Sequence, residues 1–477
     1  MSQCCDEQYS ITAPNILVIG GGSAGFSAAI TAADSGAKVV IAGAGTIGGT
    51  CVNVGCVPSK NLIRATEAVH KGNNVDRFDG LKGASEIVNW QALVQQKQQL
   101  VDSLRKAKYE DLLPEYPNIS YVEGRACFTG NGTEVDVNGT RCHPQKVILA
   151  TGASAALPPI NGIQSVPVLD STRALELETL PESMLIIGGG VIGCELGQMF
   201  ARAGVTVTIC CRSRLLPGTE PEVSAALTHH LRQEGVVVCE GVDYQHIEQV
   251  GKVIKLTCQT DDGKKVIQAH QVLAAAGRTP NTRALHLEKV GIDLNAKGGV
   301  KIDECMQTSN PDVYAVGDVT GRDLFVYMAA YGGKLAAGNA LNGNRTKYDN
   351  STMPAVVFTD PQVAMVGLTE AQAKAKGYDV KTSTVTLDNV PRFIASREAE
   401  GLIKLVADKA TDKLFGATIL APEAGDSIQT VVMALKAGLT TGELGATIFP
   451  YLTAVEGLKL AAQSFSKDVK KLSCCAG

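Results

Sequence analysis

Cys51 and Cys56, separated by four residues in GGTCVNVGCVPSK, are the first residues of this chain whose type and spacing could do chemistry. A thiolate is both a nucleophile and a ligand for soft metals. Pro58 is tolerated in a first turn, so the spacing predicts a helix that starts at Cys56. A thiol at such a helix start is stabilised as the thiolate. A second pair, Cys474 and Cys475, stands in the terminal LSCCAG. Adjacent cysteines there admit three readings: an inert tail, a redox disulfide, or a chelate for a soft metal ion.

The elements that must position these thiols appear as a repeat. NILVIGGGSAGFSAAITAADSGAKVVIAG and MLIIGGGVIGCELGQMFARAGVTVTICCR each run from an apolar strand through glycines into a helix and a second strand. Each is the size of a βαβ unit. Gly20, Gly22 and Gly25 follow the first strand, and Gly188, Gly190 and Gly193 follow its counterpart. In that context the first glycine permits the turn, the second lets a pyrophosphate approach, and the third lets helix and strand pack closely. The helix N-terminus then offers free N–H groups to the phosphates. Two dinucleotide sites are implied. In the second, Cys211 occupies the place of the acid that binds an NAD ribose, and Arg212 and Arg214 follow. Two guanidinium groups suit a 2′-phosphate, which favours NADPH. In the first, Gly43 stands where a ribose-binding acid belongs, so a dinucleotide loses one hydrogen bond there.

The 477 residues suffice for about three domains. With 44 basic and 48 acidic side chains, nothing favours nucleic acid or an anionic membrane. No apolar run is long enough to span a bilayer, and MSQCCDEQYS lacks the features of a secretory signal, so a cytoplasmic location is expected. Helical spacing covers Asn89 to Leu113, and alternation from Glu240 to Gln271 predicts antiparallel strands. Beyond residue 350, VKTSTVTL and GLIKLVAD read as strands, and SIQTVVMALKAGL and VEGLKLAAQSF as helices. Cys210 and Cys211, at a strand end, read as structural, and Cys239 and Cys258 as small buried hydrophobes.

The segment GGTCVNVGCVPSK, with Ala150-Thr151-Gly152, AAGRTPN and TSNPDVYAVGD, resembles the pyridine nucleotide–disulfide oxidoreductases over nearly the whole chain. The resemblance implies an α/β protein with two Rossmann-like dinucleotide-binding domains and a C-terminal α+β dimerisation domain. Its expected division is 1–155 and 284–349 for FAD, 156–283 for NADPH, and 350–477 for the interface. It implies that Gly45, Thr50, Lys60, Ala126, Thr151, Gly152, Gly277, Asp318 and Val326 join the glycines in binding cofactor. It makes Cys56 the thiol that touches the flavin and Cys51 the one that exchanges with substrate. Lys60 and Glu195 match an ion pair beside the flavin ring.

Members that reduce disulfides need a histidine to protonate the leaving thiolate. Here Phe449 takes its place in FPYLTAVE, and no histidine follows His286. A substrate that arrives and leaves as a metal ion needs thiols for handover and no such acid. The chain is similar to those members that reduce Hg(II) supplied as a thiol complex. That likeness implies metal ligation by Cys51, Cys56, Cys474 and Cys475, and places Tyr109 and Tyr451 near the metal. It also implies a homodimer in which the tail of one subunit serves the site of the other. Other readings are a thioredoxin-reductase-like disulfide reductase and a non-catalytic, metal-binding thiol flavoprotein.

Overall fold

The computed structural model describes residues 12–468 and Lys471; Cys4, Cys5, Cys474 and Cys475 lie outside the described residues. The chain divides into two compact units, Met1–Asn61 with Val94–Ala156 and Gly277–Asp349, and Leu62–Leu93 with Leu157–Ala276 and Asn350–Gly477.

In the first unit, strands β1 (Ile16–Ile19), β2 (Val39–Gly43), β3 (Ile119–Glu123) and β4 (Lys146–Leu149) join Val313–Ala315 in one sheet. The order is Val313–Ala315, β4, β1, β2, β3, and every pairing is parallel. Every residue of β1 and β2 is buried, as a parallel sheet covered on both faces requires. Helix α1 (Ser23–Asp34) crosses over from β1 to β2. Its alanine-rich face lets helix Val326–Asn342 come so close that a Cβ on Gly333 would lie 2.3 Å from the Ala24 carbonyl oxygen. The short helix α2 (Gly49–Asn53) is followed by α3, which begins at Cys56 and runs to Asn73. The helix expected over Asn89 to Leu113 runs from Trp90 to Arg105 and then widens into a π turn, Lys106–Glu110, that carries Tyr109.

The second unit repeats the crossover. Strand β5 (Ser183–Ile187) leads through helix α4 (Val191–Arg202) to β6 (Thr206–Cys210), then through α5 (Pro221–Gln233) to β7 (Val237–Cys239). The sheet order is β7, β6, β5, Gln271–Ala274, Val168–Leu169, all parallel. The alternating stretch after Glu240 forms three antiparallel strands, Asp243–Val250, β8 (Val253–Thr260) and Gly263–Ala269. After residue 350 a five-stranded antiparallel sheet packs with helices Ala424–Ala437 and Glu456–Gln463 around one apolar core.

An ion cluster joins these two parts of the second unit. Arg202, at the end of α4, bonds Glu234 at 2.6 Å and Asp360 at 3.1 Å, and His230 Nε2 lies 3.1 Å from Glu234. With His70 they wall a cavity of about 730 Å³. Burial disfavours the charged Glu234, yet hydrogen bonds from His230 and Arg202 outweigh it and hold its pKa at about 2. The carboxylate therefore stabilises the fold fully above its ordinary value of 4.5, and that contribution is lost as pH falls towards about 2. Glu234→Gln strips Arg202 of its buried partner, and the expected loss at neutral pH is about 3 kcal/mol. Denaturant unfolding at neutral and acid pH checks this, and the gap between wild type and variant should narrow as pH falls.

Candidate active site

The two glycine turns have the same geometry. Gly20 sits at φ +126°, and a Cβ there would lie 2.2 Å from the Ala150 carbonyl oxygen; Gly188 sits at φ +122°, 2.3 Å from that of Ala275. No other residue type satisfies both the positive φ and the contact. A Cβ on Gly25 would approach the Gly20 oxygen to 2.0 Å, and one on Gly193 the Gly188 oxygen to 2.0 Å. The middle glycines face open space: nothing lies within 4 Å of a Cβ on Gly190, and only the Gly49 Cα, at 3.6 Å, near one on Gly22. Gly22 and Gly190 cap α1 and α4 without a side-chain partner for the first N–H groups. That arrangement fits a pyrophosphate at each turn.

Around the first turn the family segments lock together. Thr151 Oγ1 donates to the Asn281 carbonyl at 2.8 Å, and Asn281 Nδ2 returns a bond to Thr151 O at 2.9 Å. Ala156 N donates to Gly277 O at 3.0 Å. Asp318 lies in a single turn, Gly317–Thr320, 3.4 Å from Arg278 Nε, and that buried Nε has no well-directed hydrogen bond. Burial pushes the Asp318 carboxyl up, with Arg278 opposing. A carboxylate loosely paired with a poorly aligned donor fits a polyhydroxylated chain such as the flavin's ribityl group. Gly45 and Gly152 are open at φ +104° and +68°, Val326 begins its helix, and Ala126 is buried in a small antiparallel sheet.

The same glycine turn holds the thiols. Gly48 N donates to Gly21 O at 2.8 Å, and a Cβ on Gly49 would meet the Gly22 Cα at 2.6 Å. Helix α2 therefore starts against the turn, with Thr50 and Cys51 in its first residues. Asn53, between the cysteines, braces the loop by donating to Ile47 O at 2.8 Å and Gly49 O at 2.9 Å, while Arg105 donates to its oxygen at 3.2 Å. Both cysteines are half-buried and free of disulfide. The Cys51 side chain hydrogen-bonds Cys56, and that bond, with burial, pushes the Cys51 thiol up, while the charge of Lys60 pulls the other way. Cys56 stands at the start of α3, where a helix N-terminus favours a thiolate.

Tyr109 packs on this assembly. Its ring meets Phe26 edge-on at 4.9 Å, its hydroxyl is 3.3 Å from Ser23 Oγ, and a Cβ on Gly48 would touch it at 3.0 Å. Lys60 belongs to the first unit and Glu195 to the second, where Glu195 is buried and accepts from Phe358 N at 2.9 Å. Tyr451 is half-exposed in the second unit. Phe449 packs against the C-terminal core, and the buried Glu456 accepts from Leu452 N at 3.0 Å. Arg212 is exposed, 5.9 Å over the Tyr244 ring, whereas Arg214 donates to the carbonyls of Pro217 and Thr219 in its own loop. Arg212 is thus the better placed of the two for a phosphate.

Asn53 and Arg278 stand inside motifs that give them no role of their own, and Tyr121 lies outside every motif. Tyr121 explains Gly43: a Cβ at position 43 would fall 2.1 Å from the Tyr121 hydroxyl oxygen, and one on Gly21 would fall 2.8 Å from it. The pairing of Ile41 with Tyr121 across β2 and β3 brings that hydroxyl to the end of β2, where a ribose-binding acid ordinarily reaches. The hydroxyl thus occupies the place that the side chain of such an acid would take. Tyr121→Phe is expected to weaken FAD binding roughly 3- to 10-fold, the worth of one neutral hydrogen bond. Gly43→Glu alone weakens it further by collision, and Gly43→Glu with Tyr121→Ala recovers affinity. Flavin titration of apoprotein measures all three.

Comparison with known proteins agrees with this geometry. Residues 14–337 match the pyridine nucleotide-disulphide oxidoreductase family and residues 353–462 its dimerisation domain. A mercuric reductase of Lysinibacillus sphaericus is 46% identical over 464 residues, covering 97% of this chain and 84% of that protein. One of Streptomyces lividans is 44% identical over 470 residues, covering 98% and 99%. Among solved structures, the HOCl-induced flavoprotein disulfide reductase RclA from Escherichia coli superposes with a TM-score of 0.82 at 29% identity, over 94% of this chain and 99% of that one. Among the described residues no helix is long and apolar enough to cross a membrane. With paired glycine turns, a dithiol braced against the first of them and a dimerisation domain behind the second, the chain belongs to the pyridine nucleotide–disulphide oxidoreductases, whose cofactors are FAD and a nicotinamide nucleotide.

Proposed function

We propose that this enzyme reduces Hg(II), presented as a thiol complex, to Hg(0) at the expense of NADPH. Phe449 carries the reading. An apolar ring stands where disulfide exchange needs an acid, and the neighbouring Glu456 is committed to the Leu452 N–H. The dithiol is therefore suited to a substrate that leaves without a proton. The mercuric reductases that share 44–46% of its residues support the same conclusion.

When bound, NADPH and FAD supply the electron pair. The protein's own part is to bind and orient. Gly20, Gly22 and Gly25 with Asp318 and Tyr121 hold the flavin nucleotide, and Gly188, Gly190, Gly193 and Arg212 hold NADPH. Cys56, favoured as thiolate, and Cys51 clasp Hg(II) in line, since soft ions take two thiolates. Lys60 and Glu195 steady the local charge, and Tyr109 and Tyr451 close the site around the ion. Cys474 and Cys475 of one subunit take Hg(II) from small thiols and pass it to Cys51 and Cys56 of its partner in a homodimer. Each transfer exchanges one sulfur–mercury bond for another, and the displaced thiolate takes up the proton. The demand for NADPH and reduced thiols fits a cytoplasmic location.

The test is NADPH oxidation with HgCl₂ in excess thiol, set beside thioredoxin and oxidised glutathione. Rapid turnover is expected with mercury alone. Replacing Cys474 and Cys475 by alanine should leave FAD content and NADPH reduction of the holoenzyme intact while cutting turnover of the thiol complex about tenfold or more, the scale of one or two lost ligand contacts in a transition state. The defect should shrink with HgBr₂, whose ligands leave easily. Turnover with disulfides and none with mercury would overturn the reading.

A further inference from the structure

Five cysteines crowd the nucleotide domain of the second unit, and two of them form a pair. Cys210 ends β6 and Cys239 ends β7, directly opposite each other in register. Paired residues of adjacent parallel strands point to the same face, and their backbones lie about 4.8 Å apart. The two side chains therefore stand side by side on that face. Cys210 is fully buried, and Cys239 is half-buried and packs on the same apolar cluster, which also holds Cys258. Cys211 points the other way, its thiol 3.7 Å from the Ser213 carbonyl, and Cys258 donates to the Lys265 carbonyl at 3.7 Å. A dithiol in apolar surroundings is left.

Two sulfurs without a third ligand exclude the ions that need more. Zinc sites take four, and among the described residues no three or more His, Cys, Asp or Glu are grouped to hold a metal. A soft ion satisfied by two thiolates in line remains. Lys265 and Arg232 lie near enough to favour charge on Cys239, the more accessible sulfur.

The pair is wired to the nucleotide turn through Cys210. Its carbonyl oxygen accepts both Gly188 N at 2.8 Å and the Tyr244 hydroxyl at 2.7 Å. Tyr244 in turn carries Arg212 over its ring. Seating an ion between the two sulfurs therefore acts on the first glycine of the NADPH site and on the arginine placed for the 2′-phosphate.

We propose that Cys210 and Cys239 form a second dithiol site, which binds one soft two-coordinate metal ion such as Hg(II), and that its occupancy weakens binding of the nicotinamide nucleotide. Loading from a bis-thiolate complex forms two sulfur–mercury bonds and breaks two. The two cysteine protons leave on the released thiols, and no oxidation state changes. The inference concerns binding and stands whether or not mercury is the substrate.

The experiment uses full-length FAD holoenzyme, wild type and Cys239→Ser, titrated with HgCl₂ in glutathione. Mercury bound per chain is counted by native mass spectrometry. The Michaelis constant for NADPH is followed with ferricyanide as electron acceptor. Cys239→Ser is expected to bind one ion fewer per chain and to lose a severalfold rise in that constant seen when wild type is saturated. An unchanged count overturns the site, and a constant that moves equally in both proteins overturns the coupling. Should Cys239→Ser fail to fold, alkylation of wild type decides. Mercury protects Cys239 from iodoacetamide if the site exists, and leaves it reactive if it does not.

Discussion

The approach of two backbones, Gly22 in the first nucleotide turn and Gly49 at the head of the cysteine segment, is the constraint on which the active site depends. A Cβ on Gly49 would come within 2.6 Å of the Gly22 Cα, so no side chain can separate them. The Gly48 N–H bond to Gly21 fixes the register, and Asn53 then ties the loop on the far side of Cys51. The segment that carries both thiols is thereby pinned against the turn that fits a pyrophosphate. Rigid elements, not the thiols themselves, set that geometry, which is what a site needs if electrons are to pass without rearrangement.

Within that frame the two cysteines are chemically unequal. Cys51 shares a hydrogen bond with Cys56 that pushes its own thiol up, and Cys56 has the helix start. An unequal pair can hold a metal ion and still present one constant thiolate inwards. Phe449, in the sequence position of the family's acid, packs in the C-terminal core, and such a ring can neither donate nor accept a proton. Proton management is replaced by sulfur exchange.

Much of this was legible in the residues. The glycine triplets, the helix start at Cys56 and the strands after Glu240 follow from local sterics and periodicity, which a linear pattern records. Arg212 and Arg214 looked equivalent in sequence, and only the loop carbonyls of Pro217 and Thr219 separate them. Gly43 read as an empty place because the side chain that fills it, Tyr121, lies on a strand about eighty positions away and is brought there by sheet pairing alone. Cys210 and Cys239 likewise looked like unrelated core residues until parallel pairing set them opposite each other. Tertiary register is the information that motifs do not carry.

The inequality of the thiols is best tested by the absorbance of the two-electron-reduced holoenzyme at long wavelength, where a thiolate against a flavin absorbs. The account predicts that Cys51→Ser keeps this band and that Cys56→Ser abolishes it. A band that survives in Cys56→Ser and disappears in Cys51→Ser would contradict the assignment of the inner thiolate and, with it, the direction in which electrons reach the metal.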